Sequence, residues 1–281
     1  MSDGALFAGL SAGEVRFGVF VVVFAVLAAF ESLRPRRPLT ANKNRRWATN
    51  FAIIGIDGLV VRAMAMLAVP LAGTAAALYA EANGIGLLQL VTWPAWIKVA
   101  IAIAVLDLAI WAQHVATHKV PVLWRLHQVH HADPDIDVTT AIRIHPGEIA
   151  LSMLWKIVCV MALGASWWAV VLFEIILNAG AMFAHANIRL PLWLDGVLRL
   201  VIVTPDMHRV HHSTIQREYD SNYGFNLSVW DRLFRTYCAQ PEKGHDAMTI
   251  GLEPYQSDEP TRLGWSLFLP FRTGREIPKN R

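Results

Sequence analysis

The sequence has few cysteines and almost no excess charge, and both shortages exclude classes of protein. Its 281 residues include only two cysteines, Cys159 and Cys238, so neither a disulfide framework nor a CxxC zinc pair can form. The formal net charge of +3 gives no basis for nucleic-acid binding. The chain also lacks a HExxH zinc-protease motif, a GxSxG elbow, a P-loop and a GxGxxG nucleotide fingerprint. Zinc proteases of that type, serine hydrolases and enzymes with their own NAD(P) or flavin domain are therefore disfavoured.

Hydrophobic residues are abundant, at 54% of the chain. Soluble domains usually lie nearer 45–50%, and a helix needs about 20 mostly apolar residues to cross a bilayer. Segment 74–90 has no Lys or Arg and is interpreted as an outer loop or a re-entrant piece. The sequence predicts an all-α polytopic membrane protein with four to five transmembrane helices. The candidate spans are residues 16–33, 50–73, 93–113, 148–164 and 167–185.

Basic residues cluster between the first two spans and predict the orientation of the chain. The segment RPRRPLTANKNRR, residues 34–46, holds six Arg or Lys residues, and a short basic loop between spans faces the cytoplasm. The N-terminus is nearly neutral and the charge follows the apolar run, so we expect a retained first span rather than a cleaved signal peptide. The preference for Arg over Lys, 19 against 6, together with abundant Ala favours a bacterial inner membrane.

Histidines occur in three dense motifs, and two of them have the same spacing. His118 lies four positions after His114, whereas LHQVHH and DMHRVHH both contain HxxHH. On a helix each motif presents its rings near one face, and neutral imidazole is a common ligand for transition metals. Counting spans from outside, all three motifs lie on the cytoplasmic side. Eight imidazoles exceed the three or four that one zinc needs, so we expect a cytoplasmic helical cap with a histidine-rich di-metal site.

The missing residues narrow the chemistry that such a site performs. HVATH lacks the glutamate of HExxH, so a base for water activation by zinc is absent from that motif. A nitrogen-rich site for two metals at a membrane surface is better suited to O₂ activation by iron. Two alternatives from other classes stay open: a His-rich metal-ion transporter or sensor, and a membrane zinc hydrolase.

The ordered motif set resembles the fatty acid hydroxylase/sterol desaturase superfamily of membrane di-iron enzymes. The pattern HxxxH, HxxHH, HxxHH is present over residues 114–118, 127–131 and 208–212, and the resemblance covers about residues 95–237. Supporting segments are IHPGE (144–148), FAHANIRLP (183–191) and SNYGFNLSVWDRLFRTY (221–237). Arg235 departs from the family pattern, where many members have Gly in an FGTY ending, and this alters a turn rather than a ligand.

The resemblance implies the cofactors, the site and the reaction. Two iron ions and O₂ as co-substrate would hydroxylate or desaturate a membrane lipid, with electrons from an external reductase or a ferredoxin- or cytochrome-type donor. The expected metal ligands are His114, His118, His127, His130, His131, His185, His208, His211 and His212, and His145 is a possible additional ligand. Positions in the sequence, rather than the resemblance, indicate candidates for groups that orient the ligating rings: Asp107, Asp133, Glu174, Asn178, Asp206, Asn222 and Asp231. Those within the spans, such as Asn178, could instead only hydrogen-bond one helix to another.

The expected domain organisation has three parts. Residues 1–92 would form N-terminal membrane helices and the basic loop, residues 93–240 a fatty acid hydroxylase-like catalytic domain, and residues 241–281 a cytoplasmic tail. From about Asp258 this tail is expected to be loosely structured, and His245 within it to be solvated. The substrate stays open between sterol, fatty acyl chain, ether lipid, carotenoid and aminolipid, and hydroxylation is not separated from desaturation.

Overall fold

A computed structural model describes residues 11–67 and 73–272, and within them the fold is all-α. The only β contacts among these residues are isolated bridges. The long helices are α1 (Ala12–Leu33), α2 (Lys43–Leu67), α4 (Ala95–Lys119), α6 (Pro146–Leu163) and α7 (Trp167–His185). The shorter helices are α3 (Gly73–Ala82), α5 (Pro121–His131), α8 (Leu192–Leu198), α9 (Pro205–His211), α10 (Gln216–Tyr219), α11 (Val229–Leu233), α12 (Gly244–Ala247) and α13 (Leu263–Phe268). Single 3₁₀ turns cover Leu87–Gln89, Val138–Ile142, Glu253–Tyr255, Glu259–Thr261 and Leu269–Phe271.

Among the described residues, the five long helices are long and apolar enough to cross a membrane, which confirms the predicted spans. Their outward faces carry large apolar side chains that water would not solvate well. Phe17, Leu59 and Met66 are 70%, 68% and 72% exposed, as expected for side chains that contact lipid. The second span begins at Lys43 rather than at residue 50, because the last basic residues of the loop form its first turn. Residues 68–72 of that predicted span lie outside the described part.

Local signals in the sequence set the ends of several helices. Ser11 caps α1 and forms a capping box with Glu14, whose amide donates to Ser11 Oγ at 3.3 Å. Pro121 and Pro146 occupy the first turns of α5 and α6, where a missing N–H has no cost. Gly164 ends α6 in the left-handed conformation, with φ of 67°. These signals place the ends of α5 and α6, which carry site residues.

Segment 74–90 forms most of helix α3, which is buried on one face, followed by a 3₁₀ turn. Ten residues are too few to span a bilayer, and α3 packs instead against α6 and α7. Its small residues Ala76, Ala77 and Ala80 are fully buried, which permits close approach of the helices. A main apolar core, formed with residues of α4, α6 and α7, lies on this side of the molecule.

The basic loop and the start of α2 lie against the histidine-bearing end of the molecule. Arg46 is fully buried and pairs with Asp133 at 2.6 Å and with Asp137 at 2.7 Å. Arg36 lies 3.4 Å from Asp206. Although burial by itself raises it, the pKa of Asp133 is lowered overall because the Arg46 guanidinium stabilises its carboxylate. The loop predicted to face the cytoplasm and the histidine motifs are therefore at the same end.

The expectation of a loosely structured segment from Asp258 is wrong for residues 258–272. Trp265 and Leu269 are buried and pack with Leu252 and Tyr255 against α5. The buried guanidinium of Arg143 donates to the Pro260 carbonyl at 2.8 Å and to Ser266 Oγ at 2.8 Å. Trp265 and Leu269 of the segment WSLFLPF, residues 265–271, thus cover the helix that carries the first HxxHH motif, whereas Phe268 and Phe271 of the same segment are 65% and 69% exposed. Residues 273–281 lie outside the described part.

The expectation that His245 is solvated is also wrong. Its side chain is buried, and its Nε2 lies 3.8 Å from Asp206 Oδ2. Arg37, from the basic loop, donates to the backbone carbonyls of His245 and Met248. The polar segment around His245 is therefore held against α9 and the basic loop.

Candidate metal centre

Nine histidines meet in two adjacent groups at the end of the membrane helices. In each group the ring nitrogens that face one another lie within 4.8 Å. The histidines come from the C-terminal ends of α4, α5 and α7, and from α9 and its C-cap. The group of five contains His114, His118, His127, His131 and His211, and the group of four contains His130, His185, His208 and His212. The structure thus brings together all eight motif histidines and His185.

Each HxxHH motif contributes to both groups, in opposite proportions. The first motif places His127 and His131 in the group of five and His130 in the group of four. The second motif places His208 and His212 in the group of four and His211 in the group of five. Residues four apart share a helix face, whereas adjacent residues point in different directions. The repeated spacing therefore lets two short helices supply both groups.

Backbone carbonyls fix the orientation of four of these rings through Nδ1. The pairs are His114 with Tyr223 O at 2.7 Å, His211 with Ser221 O at 2.6 Å, His185 with Ala181 O at 2.7 Å and His130 with Arg143 O at 3.2 Å. A carbonyl oxygen only accepts, so Nδ1 must carry the hydrogen in each ring. In the neutral imidazole this leaves the lone pair on Nε2.

The Nε2 lone pairs then face one another at short range. His114 Nε2 is 3.1 Å from His211 Nε2, and His185 Nε2 is 3.1 Å from His130 Nε2. Two lone pairs cannot form a hydrogen bond, so neither contact is favourable without a cation between the rings. Both ring nitrogens of buried His131 also lack a hydrogen-bond partner within the described structure. The donor set in each group therefore fits a metal ion.

Burial keeps the rings outside the membrane helices neutral, as metal ligation requires. Desolvation, together with the neighbouring imidazoles, lowers the pKa of His131, His208 and His212 well below the ordinary value. The pKa of His211 falls to about 3 for the same leading reason, burial. Protons therefore compete weakly for these nitrogens near neutral pH.

Glu148 is a site residue that the sequence reasoning missed. Its Oε1 accepts from His127 Nδ1 at 2.7 Å, a carboxylate–histidine contact typical of metal sites. The signal was in IHPGE, where Pro146 starts α6 and puts Glu148 in its first turn.

His145, the possible additional ligand, lies outside both groups. It is the N-cap of α6, and its Nδ1 accepts from the Gly147 amide at 3.0 Å. Its Nε2 donates to the Leu267 carbonyl at 3.2 Å. The ring thus caps a helix and ties it to the C-terminal segment.

None of the seven predicted orienting residues hydrogen-bonds one of the nine rings within the described structure. Asp231 acts one step away: it accepts from the Tyr223 amide at 2.9 Å, and the Tyr223 carbonyl accepts from His114. Asp107 accepts from Asn226 and from Trp230, each at 2.8 Å, and so holds the same loop against α4. The others bind elsewhere: Asp133 to Arg46, Glu174 to Arg16 and Lys156, Asn178 to the Glu174 carbonyl, Asp206 to Arg209, and Asn222 to the carbonyls of Met207 and Cys238.

A cavity of about 650 Å³ leads from the group of five into the membrane-spanning helices. His114, His127 and Glu148 line one end, and Arg16 and Glu174 line a part deeper between the spans. A second cavity of about 280 Å³ lies between α4, α5 and α6 and shares lining residues with the first. The size of the larger cavity is in the range of small-molecule pockets.

The model of the fatty acid hydroxylase family matches residues 99–236, a segment that contains all nine grouped histidines. This segment belongs to the fatty acid hydroxylase family. The resemblance inferred from the three histidine motifs is thereby confirmed.

Curated relatives match over about half of the chain. Ornithine lipid hydroxylase OlsE of Rhizobium tropici is 27% identical over 53% of this chain and 44% of its own length. Alkylglycerol monooxygenase is 31% identical in Xenopus tropicalis, over 51% of this chain and 32% of the relative, and 30% identical in Homo sapiens, over 53% and 32%. The chain thus spans less than half the length of these relatives. No solved structure matches it.

Proposed function

We propose that the protein is a membrane-bound non-haem di-iron oxygenase that hydroxylates or desaturates a lipid, using O₂ and external electrons. The observation that carries this proposal is that the group of five and the group of four histidines lie side by side, each with facing Nε2 atoms, next to a cavity that enters the membrane helices. The family match and the lipid-oxidising relatives support the reaction class.

In this proposal the group of five and the group of four each hold one iron ion. Bound iron would supply the one-electron chemistry that activates O₂ towards an unactivated C–H bond. The protein's own contribution is the placement of the rings: carbonyls of Tyr223, Ser221, Ala181 and Arg143 and the carboxylate of Glu148 direct Nε2 atoms inward. Burial of the rings excludes water from the reacting atoms.

A lipid is the proposed substrate because the cavity lies among helices that face the bilayer. Apolar side chains such as Phe20, Ile54 and Leu177 line it, and a histidine pair lines one end. A chain lying in it would place one carbon near the group of five while the rest stays among the spans. The curated relatives are named for ornithine lipid, alkylglycerol and fatty acid substrates, so lipid is their common class.

We place the site on the cytoplasmic side of a bacterial inner membrane. The basic loop, residues 34–46, contacts the histidine-bearing end through Arg46 and Arg36, and such loops face the cytoplasm. This side also gives access to a soluble electron donor of the reductase, ferredoxin or cytochrome type. The family segment carries no nucleotide fingerprint, which agrees with electrons from a partner.

The two alternatives fit the geometry less well. A transporter needs ligating groups along a path across the membrane, whereas every histidine in the chain lies in the described part, and the nine grouped ones gather at one end. A zinc hydrolase needs a single metal with about four ligands and a free carboxylate base. Here one group alone offers five imidazoles, and Glu148 is engaged with His127.

Metal analysis of the purified full-length chain tests the proposal. After anaerobic loading with Fe²⁺ we expect two iron ions per chain, and lipid mass spectrometry of deletion and overexpression strains should show a species gaining one oxygen or losing two hydrogens. His211→Ala should abolish turnover, because His211 supplies one of the facing Nε2 atoms. Binding of one zinc, failure to bind iron, or unchanged turnover in His211→Ala would overturn it.

A further inference from the structure

The part of the larger cavity away from the histidines contains a charged cluster that the proposed chemistry does not use. Glu174 on α7 accepts from Lys156 Nζ on α6 at 2.5 Å and pairs with Arg16 on α1. Arg16 also donates to Thr74 Oγ1 on α3 at 3.1 Å. All four side chains line the cavity. Charged groups inside membrane helices are costly, so a cluster of this kind calls for a functional explanation.

The cluster has an excess of positive charge. Two cations share one carboxylate, and within the described structure no second carboxylate pairs with Arg16 or Lys156. The Glu174 side chain is 9% exposed and that of Lys156 is 13% exposed, whereas that of Arg16 is 32% exposed. A guanidinium has five N–H donors, and the contacts of Arg16 to Glu174 and Thr74 both use Nη1. The cluster therefore keeps donors and one net positive charge at the cavity.

A glycine lets the ion pair sit close to α3. A Cβ atom added at Gly73 would lie 3.0 Å from Glu174 Oε1 and 3.4 Å from Lys156 Cε. The packing therefore brings the backbone of α3 against the charged groups and leaves Arg16 as the most accessible cation of the cluster. The polar groups are held between four helices rather than directed to the outside of the bundle.

The cluster is separated from the histidines by a length that suits a lipid chain. Glu174 and His185 lie on the same helix, α7, and a rise of 1.5 Å per residue places them about 16 Å apart along its axis. The cavity connects the charged cluster with the histidines, since His114 and His127 line it as well as the cluster. A molecule with one end at Arg16 would thus have a carbon some distance along its chain beside the group of five.

We propose that Arg16 and Lys156 form a binding site for the anionic end of a lipid, a carboxylate or a phosphate, whose chain runs along the cavity towards the histidines. This proposal rests on the proposed function, because it takes the cavity as the substrate site. It narrows the substrate class to lipids with an acidic group remote from the carbon that is oxidised. Glu174 pairs with both cations and holds them in place, and the ligand neutralises the remaining charge.

Equilibrium binding to iron-free, full-length protein in detergent tests this site without any turnover. The probes are palmitate, its uncharged methyl ester and hexadecyl phosphate. Because hydrogen bonds to a charged group are strong, we expect palmitate to bind at least about tenfold more tightly than the ester. If hexadecyl phosphate also binds more tightly than the ester, the site accepts phosphates as well as carboxylates. If palmitate shows the preference and hexadecyl phosphate does not, the site is specific for carboxylates.

Substitutions then separate ligand binding from a purely structural role of the cluster. Arg16→Gln and Lys156→Gln should reduce the preference for palmitate over the ester to near unity, whereas Glu174→Gln should maintain or increase it. Arg16→Lys keeps the charge and should retain the preference even if Arg16→Gln folds poorly. Arg62→Gln is the matched control, because Arg62 is an exposed cation on another span outside the cavity lining.

The proposal is overturned if the wild-type protein binds palmitate and the ester equally, or if the preference survives both Arg16→Gln and Lys156→Gln. Either result would leave the cluster as a structural contact between helices. Neither result touches the iron assignment, since the protein is tested without iron. Conversely, a chain that binds no iron but shows the Arg16-dependent preference would retain the lipid site and lose only the oxygenase proposal.

Discussion

The contact between Glu148 and His127 gives the sharpest test of the metal centre. Oε1 of Glu148 accepts from His127 Nδ1 at 2.7 Å, and His127 belongs to the group of five. In Glu148→Gln the amide oxygen can still accept this hydrogen bond, but the negative charge that makes the imidazole a better donor to a metal is lost. In Glu148→Ala the acceptor itself is lost, and the ring is free to rotate.

The expected effects are graded. A charge-assisted hydrogen bond is roughly twice as strong as a neutral one, and loss of an outer partner of a ligating histidine weakens metal binding about 10- to 100-fold. We expect Glu148→Gln near the lower limit and Glu148→Ala near the upper limit, which corresponds to about 1.4 and 2.8 kcal/mol. Only the group of five should be affected, because no residue of the group of four contacts Glu148 through a described hydrogen bond.

Anaerobic titration with Fe²⁺ against a competing chelator measures both sites. The variants should show one weakened site and one unchanged site per chain. Glu31→Gln is the control, because Glu31 is a buried carboxylate that accepts from the backbone amides of Val138 and Asn187 and from no histidine ring. Equal weakening of both sites, or unchanged affinity in Glu148→Ala, would refute the assigned role of the carboxylate.

Three further predictions concern stability. His145→Ala removes a helix cap and should lower the free energy of unfolding by about 0.5–2 kcal/mol with two irons still bound; loss of one iron would make His145 a ligand. Trp265→Ala should lower the free energy of unfolding by about 3–5 kcal/mol, since Trp265 is buried against α5; an unchanged melting temperature would indicate that this segment is loosely structured after all. Burial lowers the pKa of His245 to about 4, whereas the unfolded value is about 6.5, so only the unfolded state gains a proton as pH falls between these values. Stability should therefore decrease over that range, and His245→Leu should flatten the profile of melting temperature against pH; a steeper profile would contradict this.

The membrane helices were predictable because their signal is local. An apolar run of sufficient length has to become a helix in a bilayer, and each of the five predicted runs overlaps one of the five long helices. Helix α2 begins seven residues before the predicted span because the polar residues Lys43 and Arg46 are helical, and buried Arg46 pairs with two carboxylates from a distant segment. Hydropathy is summed over neighbouring residues and therefore contains no information about an ion-pair partner far away in the chain.

The C-terminal segment was misjudged for a related reason. WSLFLPF is too short for a reliable helical period, and its apolar side chains fit either a lipid surface or a protein surface. The choice depends on the end of α5, where Val129 and the C-cap residue Ala132 pack with Trp265 and Leu269. The burial of His245 was also not predictable from its neighbours in the sequence, since it depends on the basic loop and on α9.

The sequence by itself determined the helical membrane architecture and the three motifs with eight histidines, because hydropathy and residue spacing are properties of neighbouring residues, and the resemblance that these motifs carry to the family added His185. Only the tertiary structure decided how each HxxHH motif divides between two groups, that Glu148 rather than seven other polar residues contacts a ring, and that Arg16, Lys156 and Glu174 meet in one cavity. Those facts depend on distances between segments far apart in the chain, and such distances are set by the packing of whole helices.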